Sequence, residues 1–220
     1  LGAKVYQVKN KPIFHINKQI ALGKATKEWI LQLDADEVVD RELKASIETV
    51  IQKGPSLSRQ GRSLQNSVRG FYLKRKNYFL GHWLKKGGQY PDPVIRLVRH
   101  GFAHFPQKSV HEQIVVDGPV ATLEGHLLHY TAPTFTRYLQ NSNRYTSLTA
   151  SELNRQKVKI DLFNWLKYLI WKPFTTFCNL YFSHKGFVDG FPGFVFALFS
   201  GLHWATAYMK YWEIVKVNKE

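Results

Sequence analysis

The sequence predicts an α/β fold: a mixed sheet flanked by helices, with an aromatic-rich helical region following it. Three observations carry this. Trp29-Ile30-Leu31-Gln32-Leu33 is a short, nearly continuous apolar run, as in a strand covered on both faces of a parallel or mixed sheet. Behind it, Leu43, Ile47, Val50 and Ile51 recur at helical spacing. From Phe163 onward the text changes to crowded aromatics with interspersed lysines. These features divide the chain into a sheet-and-helix domain, 1–157, and an amphipathic to hydrophobic helical region, 158–220.

In order, Leu1 to Val8 reads as a strand, followed by a polar turn at Asn10 to Pro12. Ile16, Ile20 and Ala21 mark a helix ending near Ala25. The apolar run then stops at Asp34-Ala35-Asp36-Glu37. Three carboxylates at the end of a covered strand are costly to desolvate without a cation, which points to a divalent metal. Asp34 and Asp36 face the same way in an extended chain, so both can approach one ion or its bound phosphate. Asp40 sits at a helix N-cap position, and Gly54-Pro55 ends that helix.

Ser56 to Val68 reads as an exposed loop, and Arg59, Arg62 and Arg69 as solvated or phosphate-facing. Gly70 to Leu80 begins as a strand leading to Gly81-His82-Trp83 and the pair Gly87-Gly88. Trp83 and Tyr90, beside this glycine-containing loop, are candidates for stacking on a ligand or for ordinary packing. Val94 to Arg99 is a further strand with Arg96 among apolar neighbours, where a bidentate contact to phosphate or carboxylate is the alternative to an edge-strand surface position. Val115 to Leu123 reads as a strand preceding Gly125 to Tyr130. Thr134 caps a helix running to about Lys157, with Phe135, Tyr138, Leu139, Tyr145, Leu148 and Leu153 on its apolar stripe.

The aromatic and basic flanks of 163–182 suit an in-plane interfacial helix. Gly190 to Met209 is uncharged over about the ~20 residues needed to cross a bilayer. Pro192, Gly193, Gly201 and His203 argue instead for a membrane-surface or re-entrant hairpin, ahead of a true span or a buried helix pair.

Lys and Arg total 31 against 16 Asp and Glu, a formal net charge of +15. This suits an anionic partner. No zinc-finger, RNA-binding or basic-zipper pattern is present, so a nucleotide-sugar and an anionic membrane surface are favoured over nucleic acid. The lone Cys178 excludes an intrachain disulfide framework and reads as a packing residue. The sequence contains no Walker loop, nucleophile elbow or Rossmann glycine signature.

Asp34-Ala35-Asp36 at a strand end, preceded by Lys24-Ala25-Thr26-Lys27-Glu28-Trp29, resembles the DxD motif of family 2 glycosyltransferases with the GT-A fold. The segment Asn17 to Ala25 resembles the helix before that strand, and Gly186-Phe187-Val188-Asp189-Gly190 resembles a turn in lipopolysaccharide-core-type members. The resemblance implies a GT-A-like, Rossmann-like mixed sheet. It implies an inverting, metal-dependent transfer from a nucleotide-sugar, a UDP-sugar above all, to a glycan or lipid-linked acceptor of the cell envelope.

The same resemblance assigns roles residue by residue. Asp34, Asp36 and Arg96 face the donor, and Asp36 with His129, favoured over His126, holds Mg2+ or Mn2+. Glu112 is the general base, with His111 beside it on the acceptor side, where Trp83 and Tyr90 also belong. It implies a peripheral or re-entrant place on the cytoplasmic face of a bacterial inner membrane. In the family two strands and a helix come earlier, so the chain is expected to be an N-terminally incomplete piece of a longer enzyme. The alternative is a non-catalytic membrane-surface binding module or an inactive transferase fragment.

Overall fold

The structure, a computed structural model, describes residues 2–8, 14–53, 68–106 and 113–217. In chain order the elements are α1 (Phe14–Lys24), β1 (Trp29–Leu31), β2 (Glu37–Val39), α2 (Arg41–Lys53), β3 (Gly70–Phe79), β4 (His82–Trp83) and β5 (Asp92–Arg99). They continue with β6 (Ala103–His104), β7 (Val115–Val116), β8 (Val120–Ala132), α3 (Phe135–Arg155), α4 (Leu162–Leu166), α5 (Lys172–Cys178) and α6 (Gly190–Lys216). Two π-helical turns, Lys167–Trp171 and Asn179–Ser183, and a 3-10 turn, Gly186–Asp189, join the last three helices. This is the mixed α/β architecture expected. The strand order is β1-β5-β3-β8-β2, with β4 pairing the end of β3. The chain forms two compact units, residues 1–75 with 92–127 and residues 76–91 with 128–220.

In the first unit the sheet is covered on both faces. Leu43, Ile47 and Val50 of α2 pack on Phe71, Leu73, Val94, Leu97, Leu123 and Leu127. On the other face Leu22 of α1 meets Ile95, Val98, Phe105 and Ile114. Adjacent residues of β5 therefore serve opposite faces, as alternation requires, but the alternation slips once. Phe71 pairs with Leu97 and Tyr72 with Ile95, so Arg96 is an extra residue in a β-bulge. A bulge bends the strand and re-aims one side chain, which is how an arginine sits inside an apolar run.

Asp40 caps α2 as expected, its Oδ1 accepting from the Leu43 N–H at 2.8 Å. The first turn of α2 lies so close to β8 that a Cβ on Gly125 would strike the Leu43 backbone, and Gly125 has φ of +91°. Here glycine is required twice over, by space and by conformation.

In the second unit α3 packs through Ala150 and Leu153 on Tyr208 and Tyr211 of α6 and on Tyr168. Lys210 Nζ donates to Asn143 O, Thr146 Oγ1 and Ser147 Oγ at 2.7, 2.8 and 2.9 Å. A second cluster joins Phe79, Leu84, Ala132 and Val195.

Several sequence expectations need correction. Residues 2–8 form no strand and are exposed. β1 is shorter than the apolar run and only half buried, because it stands at the end of the described strand order. The strand foreseen at 115–123 is two strands, and 125–130 lie inside β8. Ile51 is exposed, as are Phe135, Leu139 and Tyr145 of the foreseen α3 stripe, whereas Leu153 of that stripe is buried and Tyr138 and Leu148 are half-buried.

α6 is one continuous helix of 27 residues. Pro192 falls in its first turn, where a missing N–H is harmless, and its glycines serve close approach. A Cβ on Gly201 would lie 2.5 Å from Pro173 O, and one on Gly193 would strike Gly186 O. No helix among the described residues is long and apolar enough to cross a membrane.

The contrast between two glycines gives a test. Gly125→Ala is expected to lose about 3 kcal/mol or more of stability. Gly23→Ala in α1, where a Cβ would meet nothing within 4 Å, is expected to gain about 0.5 kcal/mol. Urea midpoints of the two variants check both signs.

Candidate functional site

The link 32–36 joins the first and last strands of the described order, so it crosses the ends of the strands between them. It closes on itself at Asp34 to Glu37. The Glu37 N–H donates to Asp34 O at 3.1 Å, and the Asp34 N–H donates to Glu37 Oε2 at 3.0 Å. This reciprocal pair places Asp36 at the exposed tip and Glu37 inside, its side chain fully buried.

Arg96 holds this turn from the β5 bulge. Its Nη2 donates to Glu37 Oε1 at 2.6 Å and to Asp34 Oδ2 at 2.9 Å, while Nη1 donates to Gln32 Oε1 at 2.5 Å. Arg75 of β3 lies 3.5 Å from the same Glu37 oxygen and binds Asp92 Oδ2 at 2.8 Å. Lys18 of α1 reaches Asp34 Oδ1 at 2.6 Å and Oδ2 at 2.9 Å. Three cations thus meet three carboxylates in one unit of the structure, and charge-assisted geometry of this kind fixes position as well as energy.

Burial works to raise the Asp34 pKa, but the hydrogen bond from Lys18 and the charges of Arg96 and Lys18 more than offset it, holding the carboxyl below its ordinary 3.8. A depressed folded-state pKa contributes stability that is present above the unfolded value and lost as pH falls through the folded one. The turn is therefore secure at neutral pH and weakens only in acid.

The structure brings two foreseen residues together, Asp34 and Arg96, and adds Glu37, Arg75 and Lys18, which the sequence did not single out as site residues. Glu37 was visible as the third carboxylate of the acidic run, but its inward direction depends on the turn. With both oxygens of Asp34 engaged by cations, that residue suits a positioning role. The exposed Asp36 carboxylate suits a cation or a phosphate-bound metal.

His129 lies in the other unit, where Asn77 orients it. Asn77 Nδ2 donates to Gln89 O at 3.2 Å, so its Oδ1 accepts from His129 Nδ1 at 2.7 Å. His126 sits elsewhere, 3.4 Å from Asp40 Oδ2. Asp40, Glu42 and His126 are the one group of three ligating side chains within reach of one another among the described residues. Helix capping by Asp40 accounts for part of that grouping.

Trp83 and Tyr90 do meet, edge to face at 5.3 Å, with Lys76 and Lys85 Nζ over the indole at 4.6 and 5.4 Å. Their loop is fastened by a residue the sequence marked only as part of a turn. Buried Asp189 accepts from the Lys85 and Lys86 N–H groups at 3.0 and 2.8 Å and contacts His82 Nε2 at 3.2 Å. His111 and Glu112 lie outside the described residues.

A mixed α/β sheet with an arginine-clamped acidic turn at its strand ends is an arrangement suited to binding a charged ligand, and the chain's relatives carry names that agree with this. It is 26% identical over 194 residues to the lipopolysaccharide core biosynthesis glycosyltransferase LpsC of Rhizobium meliloti, covering 82% of this chain and 64% of that protein. It is 27% identical over 206 residues to the uncharacterized glycosyltransferase RT0209 of Rickettsia typhi, covering 89% of this chain and 65% of that one. To the uncharacterized glycosyltransferase RP128 of Rickettsia prowazekii it is 26% identical over 193 residues, covering 81% and 60%. The chain therefore spans less than two thirds of the length of these relatives. No protein-family model matches it. The chain is a homologue of glycosyltransferases, one of them named for lipopolysaccharide core biosynthesis.

Two measurements probe the site's construction. Arg96→Met leaves Glu37 buried without its main partner and is expected to cost about 3 to 5 kcal/mol. Adding Glu37→Gln to it should restore a substantial part of that loss, read from urea midpoints. Asp189→Asn, with an amide in place of a carboxylate facing two N–H donors, is expected to cost about 2 kcal/mol and to speed amide exchange at Lys85 and Lys86.

Proposed function

We propose that this chain works as a metal-dependent, inverting, family 2-like glycosyltransferase with a GT-A-like sheet. It moves a sugar from a nucleotide-sugar, a UDP-sugar first among them, to a lipid-linked or lipopolysaccharide-type acceptor at the cytoplasmic face of a bacterial inner membrane. The observation that carries the reading is the acidic turn, in which Lys18, Arg75 and Arg96 hold Asp34 and Glu37 in place and Asp36 is exposed at the tip. The names of the relatives support the reaction class.

In this reading Asp34, kept ionised by its cations, orients the turn and contacts the donor's ribose or the metal. Arg96 sets the turn's position from below. Asp36, with His129 as the further ligand the resemblance implies, would hold Mg2+ or Mn2+, which would supply charge neutralisation to a departing diphosphate. Glu112 takes the proton from the acceptor hydroxyl as it attacks the anomeric carbon, while the nucleoside diphosphate leaves from the opposite face of the sugar. His111, Trp83 and Tyr90 bind the acceptor, the indole offering an apolar face and the lysines beside it attracting anionic groups.

The test is calorimetric titration of UDP into the chain with and without Mn2+. Binding that needs the metal and disappears in Asp36→Ala, with thermal unfolding unchanged, is the expected result. Absence of nucleotide binding by the unaltered chain in Mn2+ overturns the donor assignment. Unchanged sugar transfer by Glu112→Gln in the full-length protein overturns the base.

A further inference from the structure

The second unit carries far more exposed apolar surface than its own packing explains. Along α4, the first π-helical turn and α5, Leu162, Phe163, Ile170, Trp171 and Phe174 are each between 61 and 72% exposed. Three of them, Phe163, Ile170 and Phe174, fall seven and four residues apart, the spacing of one helix face. The patch does not end with α5. Phe177 packs on Tyr181 and Phe194, and Tyr181 in turn on Phe187, with ring centroids 5.3 to 6.2 Å apart. Phe182, Phe187, Val188 and Phe191 carry the exposed surface on, at 58, 49, 54 and 72%.

The charge around this surface has one sign. Between residues 156 and 188 the sequence holds Lys157, Lys159, Lys167, Lys172 and Lys185 against the single acid Asp161, and Asp161 is engaged as the N-cap of α4. Lys157, Lys159 and Lys185, at the two ends of the segment, are exposed. Lys172 lies 3.6 Å over the Trp204 ring, so its stem and charge stay with the helices while the apolar face points out. Aromatic and branched side chains bounded by lysines on a helical run, 162–183, in a structure where no described helix is long and apolar enough to cross a membrane, match an interfacial, in-plane surface. A soluble protein partner would not require the surrounding charge to be so uniformly basic.

We propose that the face formed by Leu162 to Phe174 together with Phe182, Phe187, Val188 and Phe191 seats in the headgroup and upper acyl region of an anionic lipid bilayer, with Lys157, Lys159 and Lys185 on its phosphates. The surface stands on its own residues, and it rests on the proposed function only for what it presents there. The 3-10 turn that exposes Phe187 and Val188 directs Asp189 inward, where it holds the backbone of Lys85 and Lys86. The turn in contact with lipid is thus the turn that fastens the Trp83 loop, and a lipid-anchored acceptor would meet that loop at the bilayer surface.

The experiment is flotation of the full 220-residue chain with vesicles of phosphatidylcholine alone or with phosphatidylglycerol, at low and high potassium chloride. Recovery with the anionic vesicles, reduced but not abolished by salt, is expected. Phe163→Glu/Ile170→Glu/Phe174→Glu should lower vesicle affinity at least ten-fold at either salt. Lys157→Glu/Lys159→Glu/Lys185→Glu should lower it by at least about five-fold for each lysine at low salt. Ile51→Glu, on an exposed position of α2, should bind as the parent does, and circular dichroism confirms that the variants fold. No recovery with anionic vesicles, recovery indifferent to the apolar triple substitution, or a dimer in sedimentation equilibrium that this substitution dissociates would each overturn the proposal. UDP titration on the same samples is read independently: nucleotide binding without flotation sinks the lipid surface alone, and flotation without nucleotide binding sinks the donor assignment alone.

Discussion

A buried guanidinium has to be surrounded by carboxylates or carbonyls, because leaving either sign of charge unpaired in a low-dielectric interior costs several kcal/mol. Arg96 meets that demand by leaving the pleat. The bulge at β5 takes it out of the alternation between the two apolar cores and aims it along the strand ends, where Gln32, Asp34 and Glu37 converge on it. The acidic turn depends on this contact, since Glu37 would otherwise be a fully buried carboxylate facing Arg75 across 3.5 Å. What the clamp leaves exposed is as important as what it holds. Asp36 is at the tip because its two acidic neighbours are tied inward.

Close backbone approach is the second constraint. Gly125 lets the first turn of α2 lie against β8, which brings the Asp40 N–H to His126 O at 3.1 Å. In the second unit Gly193 and Gly201 perform the same task for α6, admitting Gly186 O and Pro173 O. The second unit also buries a charge, but by another route. Asp189 has backbone N–H groups and His82 around it in place of arginines, so the carboxylate fixes a loop without joining a network of cations.

These devices explain why local patterns are legible in the sequence and their consequences less so. The α2 cap at Asp40, the α3 cap at Thr134 and the apolar run of β5 are visible because each depends on residues within a turn of one another. The apolar stripe expected on α3 holds only in part, because periodicity reports which residues share a face and not how far a partner covers it: Leu153 is buried and Tyr138 packs on Phe199, while Leu139 and Tyr145 are exposed. Glycines and a proline in 190–209 suggest a broken segment, yet they mark contact points of a continuous helix.

The sequence by itself determined the α/β class, the acidic run after a strand, the basic excess, and the change to aromatic helices near Phe163, all properties of composition and short-range spacing. A carboxylate partner for Arg96 was one of the alternatives the sequence left open, beside phosphate and an edge-strand surface position. Only the tertiary structure decided that Glu37 is the buried partner and Asp36 the exposed one, that Asn77 orients His129, and that Asp189 fastens the Trp83 loop. Each of these joins residues from different elements, 52 positions apart for Asn77 and His129 and more than 100 for Asp189 and its donors. Contacts at such separations are set by how strands and helices pack, and no local pattern encodes them.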